Sequence, residues 1–337
     1  MKSFFARKIA LGYLFLSILG SVIVTYLISD YLPSNSALGH FTSPGSSEKM
    51  PLNCTYDVKR LNGYNYIKPL MFVDNECESE ELFPIKQRVN TLIGEFKASG
   101  DLISASVYLK LYSKNGWMGI NENEKFSPGS LMKVPVLITF LKMNEKNPGL
   151  LNKSLSYDHL LNSNKTAAFV SNQIQLGHRY TVKELLTYMI AYSDNNATNL
   201  LNTIIDINAF KKIFTDFGLD APDWKSNDYP ISSKDYSLFM RSLYNASYLT
   251  IEDSEFATEL LAHSDFKNGL IKNLPEFVKK AHKFGEGGSN LEPELSETAF
   301  IYLENKPYLL TVMTKGKDNR KLAQIISQIS DIIYQSM

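Results

Sequence analysis

The feature that most constrains the fold is a hydrophobic period that changes twice along the chain. From Ser104 to Tyr112 apolar and polar residues alternate, with Val107, Leu109 and Leu111 on one face. Lys114-Asn115-Gly116 supplies a turn, and Trp117 to Ile120 starts a return strand. Between about Pro128 and Leu201 the period becomes helical, as in Val182, Leu185, Leu186, Met189 and Ile190. It then reverts to two: Val278 to Phe284, Thr298 to Leu303 and Tyr308 to Thr314 read as three strands, the last two joined by Glu304-Asn305-Lys306-Pro307. Helical spacing brackets the whole, from Leu82 to Lys97 before the first strand and from Arg320 to Gln335 at the end. Two strands, a long helical insertion, three strands and a terminal helix predict an α+β fold. Its antiparallel sheet has about five strands, both terminal helices pack on it, and a helical lobe lies to one side. The cleft between lobe and sheet is the expected place for a site. No internal repeat follows residue 52, so residues 81–337 are read as one domain.

Ahead of it, Ile9 to Ile28 carries no charge and is preceded by Lys2, Arg7 and Lys8. Twenty such residues make about 30 Å of helix, enough to span a bilayer. The preceding cations predict that residues 1–8 stay in the cytoplasm and that everything after Asp30 is exported. A cleaved signal peptide is the alternative, but its apolar region is normally shorter and followed by small residues, whereas this run ends in Tyr26-Leu27-Ile28-Ser29-Asp30. We therefore expect a signal-anchor over 9–29 and an extracytoplasmic tether over 30–80, whose stretch from Pro33 to Pro51 is rich in Ser, Gly and Pro. Cys54 and Cys77, the only cysteines, are able to close a loop in an oxidising compartment; two free thiols are the other possibility. With 35 Lys+Arg against 35 Asp+Glu there is no basic surplus of the kind nucleic-acid binding demands. The five histidines, His40, His159, His178, His263 and His282, show no metal-ligand spacing, so neither a metal nor a zinc mechanism is expected.

Three short motifs carry possible chemistry. In Ser130-Leu131-Met132-Lys133 a helix beginning near Pro128 places the Lys amine beside the Ser hydroxyl and Ser130 at the positive helix end. The apolar run Val134 to Leu141 then desolvates the amine and lowers its pKa. The spacing alone says little, since Ser46/Lys49 and Ser264/Lys267 share it. Ser193-Asp194-Asn195 follows an amphipathic helix and reads either as a capping turn or as a hydroxyl that relays a proton to a leaving amine beside an amide that fixes a substrate carbonyl. Lys283-Phe284-Gly285 lies on a strand, with Lys283 and Gly285 on one face and Phe284 on the other. There Lys283 suits a substrate carboxylate, Gly285 lets a substrate backbone lie close, and the next N–H completes an oxyanion hole with that of Ser130. A solvated strand lysine is the alternative. His282 is read as structural.

In that chain order and on those elements, the three motifs resemble the signature of class A β-lactamases and penicillin-binding proteins. The resemblance spans most of residues 80–337 and takes in Tyr180-Thr181-Val182, the run from Tyr192 to Leu201, and Ala281-His282-Lys283-Phe284-Gly285-Glu286. It implies a β-lactamase/transpeptidase-like fold with Ser130 as acylated nucleophile, Lys133 as base or proton shuttle and Ser193 as relay. It further implies Asn195, Lys283, Gly285 and Glu286 as substrate contacts and no cofactor. The implied partner is a β-lactam or D-alanyl peptide; the N-terminal helix adds a membrane, and the chain is expected to act as a monomer.

Two departures qualify that picture. Enzymes of the family that hydrolyse β-lactams quickly carry a Glu-x-x-Leu-Asn loop whose Glu positions the deacylating water. From Gly218 to Tyr236 this chain reads GLDAPDWKSNDYPISSKDY, with no glutamate. Asp223 and Asp228 are the candidate substitutes. The middle residue of Lys-x-Gly is normally Ser or Thr, whose hydroxyl helps hold a substrate carboxylate, and here it is Phe284. Slow deacylation would suit a D-alanyl-D-alanine carboxypeptidase or a penicillin-binding sensor as well as a lactamase.

Overall fold

The computed structural model describes residues 54–160, 168–169, 171–224, 226 and 229–337. The chain opens with a hairpin, β1 (Tyr56–Arg60) and β2 (Leu70–Asn75), followed by α1 (Phe83–Ala98), β3 (Leu102–Leu111) and β4 (Trp117–Ile120). A short β5 (Lys125–Phe126) leads to a 3-10 turn (Gly129–Met132) and α2 (Lys133–Lys146). Next come β6 (Ser154–Ser156), β7 (Arg179–Thr181), α3 (Val182–Ala191), α4 (Asn195–Asn202), α5 (Ile207–Asp216), β8 (Ile231–Ser232), α6 (Ser233–Tyr244) and α7 (Ile251–Ala262). The end of the chain is β9 (Lys279–Gly288), β10 (Pro293–Tyr302), β11 (Tyr308–Gly316) and α8 (Asn319–Tyr334).

The main sheet has five antiparallel strands in the order β4-β3-β11-β10-β9. Its alternation sorts the core into two layers. Val107, Leu109, Leu310 and Val312 pack with Val89, Ile93, Ile325, Ile326 and Ile329 of the two terminal helices. Leu309, Met313, Phe300 and Ala281 face the helical lobe instead, against side chains such as Leu137, Leu186 and Phe239. This is the α+β architecture expected from the periodicity, with the terminal helices on one face of the sheet and the helical lobe on the other. Helices start where capping residues satisfy their free N–H groups: Thr181 and Glu184 form a reciprocal capping box on α3, and Asp206, Ser232, Thr250 and Asp318 cap α5, α6, α7 and α8. Strand β9 is an edge strand, and its end lies against the 3-10 turn, which brings two sequence motifs 150 residues apart into contact.

Three details differ from the sequence reading. The stretch from Pro128 to Leu201 is not continuously helical, because the β6–β7 pair separates α2 from α3. Nor does α2 begin near Pro128: residues 129–132 are 3-10 and the α-helix starts at Lys133. The last part of the expected tether is folded onto the body: β1 pairs with β2, Phe72 meets Phe217 edge to face at 6.0 Å, and Asp74 receives Arg241 at 2.6 Å and Lys110 at 3.1 Å. Cys54 and Cys77 are joined in a disulfide across this hairpin. The expected anchor over 9–29 lies outside the described residues; among those described, no helix is long and apolar enough to cross a membrane.

Candidate active site

Backbone contact sets the position of Ser130. Gly129 has φ +51°, and a Cβ there would fall 1.9 Å from the Glu286 carbonyl oxygen, so only glycine fits. A Cβ on Gly285 would lie 2.2 Å from the Pro128 carbonyl oxygen and 3.0 Å from the Ser130 nitrogen. The end of β9 and the turn that carries Ser130 therefore touch main chain to main chain. From the lobe side, buried Tyr236 of α6 donates to the Leu131 carbonyl at 2.8 Å and pins the same turn.

Lys133 opens α2 and is only 4% exposed. Its Nζ donates to the Ser193 carbonyl at 2.6 Å, to Asn195 Oδ1 at 2.6 Å and to Ser193 Oγ at 3.2 Å. The acceptors are those of the Ser193–Asn195 corner and do not include Ser130, whose hydroxyl the sequence had paired directly with this amine. Burial lowers the Lys133 pKa to about 7, against the pull of the Asp194 and Glu286 carboxylates. Lys283, fully buried on β9, approaches the same hydroxyl from the other side, with Nζ 2.8 Å from Ser193 Oγ and 2.9 Å from the Phe284 carbonyl. Burial, and then the neighbouring Lys133, hold its pKa well below the usual lysine value. Ser193 thus stands between two amines. Its backbone is left-handed, φ +54°, a conformation that costs a serine about 1–3 kcal/mol and tends to mark functional positions.

The corner is held by Asp194, a residue to which the sequence gave no role. Its buried carboxylate accepts from Asn196 N at 2.8 Å, capping α4, and from Ile174 N at 2.9 Å. The signal was present in the sequence as an Asp at a helix start. Glu286, expected to contact substrate, accepts from Ala168 N at 2.7 Å and Phe169 N at 3.1 Å, so its carboxylate also pins a neighbouring segment. Phe284 stacks on Phe266 at 4.1 Å and meets Phe169 edge on. Alternation predicted that Lys283 and Phe284 diverge, yet the Lys283 Nζ lies 4.4 Å from the Phe284 ring centre. His282 is buried on Glu297 at 2.8 Å, consistent with a structural role.

Ser130, Asn195 and Glu286 line two clefts. One, of about 420 Å³, runs past Phe284 and Tyr192 to the start of α8. The other, of about 890 Å³, is walled by Met132, Phe210, Trp224 and Tyr229 and includes Asp223. Asp228, the other candidate substitute for the missing glutamate, lies outside the described residues. Among the described residues no cluster of His, Cys, Asp or Glu has the arrangement of a metal site. The geometry joins a half-buried serine, a hydroxyl between two desolvated amines and cleft space on both sides of that serine. That combination suits acyl transfer.

Comparison with known proteins agrees. The family model described as the β-lactamase enzyme family matches residues 84–337. A β-lactamase of Phocaeicola vulgatus is 26% identical over 215 residues, covering 54% of this chain and 66% of its own length, just under two thirds of that relative. Among solved structures, a β-lactamase from Chitinophaga pinensis superimposes with a TM-score of 0.64 at 18% identity, covering 75% of this chain and 99% of that one. A class A β-lactamase from Mycobacterium abscessus gives 0.61 at 19%, covering 75% and 98%. A PBP-A mutant, solved as an acyl-enzyme with penicillin G, gives 0.62 at 18%, covering 76% and 96%. At these identities the structural likeness speaks to the fold.

Proposed function

The chain belongs to the β-lactamase enzyme family, and from that premise we propose that it is a membrane-anchored, extracytoplasmic serine hydrolase that opens β-lactam amides through an acyl-enzyme on Ser130. The observation that carries the reading is the buried Lys133 amine, with a pKa near 7, fixed on the Ser193–Asn195 corner of the cleft that holds Ser130. Ser130 Oγ attacks the lactam carbonyl while its proton passes to the Lys133–Ser193 pair, and the developing oxyanion is received by the N–H groups of Ser130 and Glu286. The intermediate collapses with cleavage of the C–N bond, leaving the acyl group on Ser130, and Ser193 returns the proton to the departing nitrogen. Asn195 and Lys283 hold the substrate and the relay. Water then cleaves the ester. Asp223, in the cleft beside Ser130, is the candidate base for that step.

A second reading is a D-alanyl-D-alanine carboxypeptidase or a slowly deacylating penicillin-binding sensor. The absence of any glutamate between Gly218 and Tyr236 favours it. A time course of the purified protein with a chromogenic cephalosporin, following colour and protein mass together, separates the readings. Steady colour with a transient adduct on Ser130 is the lactamase result, and an adduct that persists without turnover is the peptidase or sensor result. No adduct on Ser130 overturns both. The anchor is tested by alkaline extraction of membranes: the chain should remain in the pellet at full length, and release as a shorter soluble form would show that the segment is cleaved.

A further inference from the structure

The β1–β2 hairpin has two unlike faces. Strand alternation turns Lys59, Phe72 and Asp74 to the body, where Lys59 Nζ donates to the Phe217 carbonyl at 2.7 Å, Phe72 packs on Phe217 and Asp74 receives Arg241. Tyr56, Val58 and Val73 point the other way, with Val58 and Val73 directly paired, and all three are exposed. The turn at the end away from the Cys54–Cys77 disulfide adds Tyr64 at 54% exposure, Ile67 at 59% and Tyr66 at 97%. Single apolar residues on a surface are ordinary, but this crowding of large ones on one turn, at the end of an apolar strand face, marks a contact surface. From Val58 to Val73 the sequence holds Lys59, Arg60 and Lys68 and no acidic residue. Arg60 and Lys68 are exposed beside the rings, joined by the Arg60 Nη1 donation to the Lys68 carbonyl at 2.8 Å.

Tyrosine rings with polar tips, an isoleucine and flanking cations form the composition that settles between lipid headgroups and acyl chains. A patch of this size falls short of the roughly 20–30 residues a side of a stable protein interface, whereas a fluid lipid surface needs no matching shape. The uncharged run from Ile9 to Ile28 supplies the location. Residues 29–53 reach at most about 90 Å at roughly 3.5 Å each, so an anchored chain keeps the hairpin near the bilayer, and a contact too weak to recruit a free protein is sufficient. Resting on the membrane-anchored reading above, we propose that the outer face and turn of the β1–β2 hairpin are a second membrane contact, in which Tyr64, Tyr66 and Ile67 enter the headgroup region and Arg60 and Lys68 meet anionic lipid phosphates. The disulfide and the ion pairs of Asp74 fix the hairpin to the hydrolase body, so this contact sets how that body is turned on the membrane.

The test uses the full-length chain in vesicles of phosphatidylcholine and phosphatidylglycerol, with and without bromine on the phosphatidylcholine acyl chains. Tyr66→Trp places an indole on the turn, and the unaltered protein, with Trp117 and Trp224, supplies the background. Phe277→Trp is the control: Phe277 is exposed just before β9, and β9 is the far edge of the main sheet from β4, whose Trp117 donates to the Asn75 carbonyl of the hairpin at 2.7 Å. The added emission of Tyr66→Trp should lie at shorter wavelength and be lost with brominated lipid, while that of Phe277→Trp persists. Lys68→Gln in the Tyr66→Trp background should lower the ratio of quenched to unquenched emission about fivefold, the worth of one cation at an anionic surface. Equal quenching at both positions, or none for Tyr66→Trp in a chain that stays in the alkaline pellet, overturns this inference and leaves the anchor standing. A wavelength shift that follows protein density and ignores bromine also overturns it, and assigns the face to a second copy of the chain. Release of the chain by alkali overturns the anchor and this inference together.

Discussion

Gly285→Ala is the sharpest test of how the site is assembled, because it adds one methyl group at the place where the two halves of the site touch. A Cβ at that position would sit 2.2 Å from the Pro128 carbonyl oxygen, 2.6 Å from Leu131 N and 3.0 Å from Ser130 N. All three are main-chain atoms of the nucleophile turn, so no side chain is able to swing away. Ordinary contact begins at 3.4 Å, and the strand and turn must therefore part by about 1.2 Å. Overpacking of this kind costs about 1–3 kcal/mol, offset by roughly 0.5–1 kcal/mol because alanine orders more readily than glycine in a strand. The net loss is small for a domain of this size. The effect on chemistry is larger, because the displaced atoms include Ser130 N, the proposed oxyanion donor: a misplacement of about 1 Å typically costs on the order of 100-fold in rate. We expect Gly285→Ala to fold, to melt a few degrees lower, and to acylate Ser130 about 100-fold more slowly, as read by mass spectrometry of the adduct against time. Acylation within threefold of the unaltered protein would show that the contact between β9 and the nucleophile turn does not set the geometry of the site.

Ser130→Ala should abolish the penicillin adduct while leaving the melting curve in place; a surviving adduct would move the nucleophile elsewhere. The acylation rate should rise with pH through about 7, because the lowered Lys133 pKa makes the amine neutral and able to accept a proton above that value, and a profile flat from pH 6 to 8 would exclude this amine as the base. Asp223→Asn should slow deacylation by roughly 10²- to 10⁴-fold with acylation unchanged, so an unchanged lifetime of the adduct would remove Asp223 from that step. Replacing Cys54 and Cys77 together by serine opens a loop with a sequence separation of 23 and should cost about 3 kcal/mol in urea unfolding; no change would mean that Phe72 and Asp74 alone hold the hairpin.

Periodicity made the sheet and both terminal helices legible, because Val107, Leu109, Leu310 and Val312 alternate in a two-residue rhythm and Leu322, Ile325, Ile326 and Ile329 in a helical one. The nucleophile turn was less so. Its 3-10 form follows packing against the Glu286 carbonyl at Gly129, a contact between residues 157 apart that leaves no local trace. The β1–β2 hairpin was hidden for a different reason: most of β1 faces solvent, and its place is fixed by Phe72, the disulfide and the buried partners of Asp74. At the site, motif spacing singled out Ser130, Lys133, Ser193, Asn195 and Lys283, which the fold gathers around one cleft system. It gave no sign that Glu286 turns to the Ala168 and Phe169 amides, since that depends on a loop distant in sequence.

The valence of Lys133 fixes which of its protons faces Ser193 Oγ. Two of its contacts, both at 2.6 Å, are to oxygens that only accept, the Ser193 carbonyl and Asn195 Oδ1, and each takes one N–H. The third direction is the longer contact to Ser193 Oγ at 3.2 Å. In the ammonium form it carries the third proton; in the neutral form it is the lone pair. The proton that titrates near pH 7 is therefore the one facing Ser193 Oγ, and the basic amine draws from that hydroxyl first. Lys283, donating to the same oxygen at 2.8 Å, stabilises the alkoxide character that results. The carbonyl and hydroxyl of Ser193 thus face the same amine, and on the proposed mechanism the hydroxyl is the path by which the proton of Ser130 reaches Lys133.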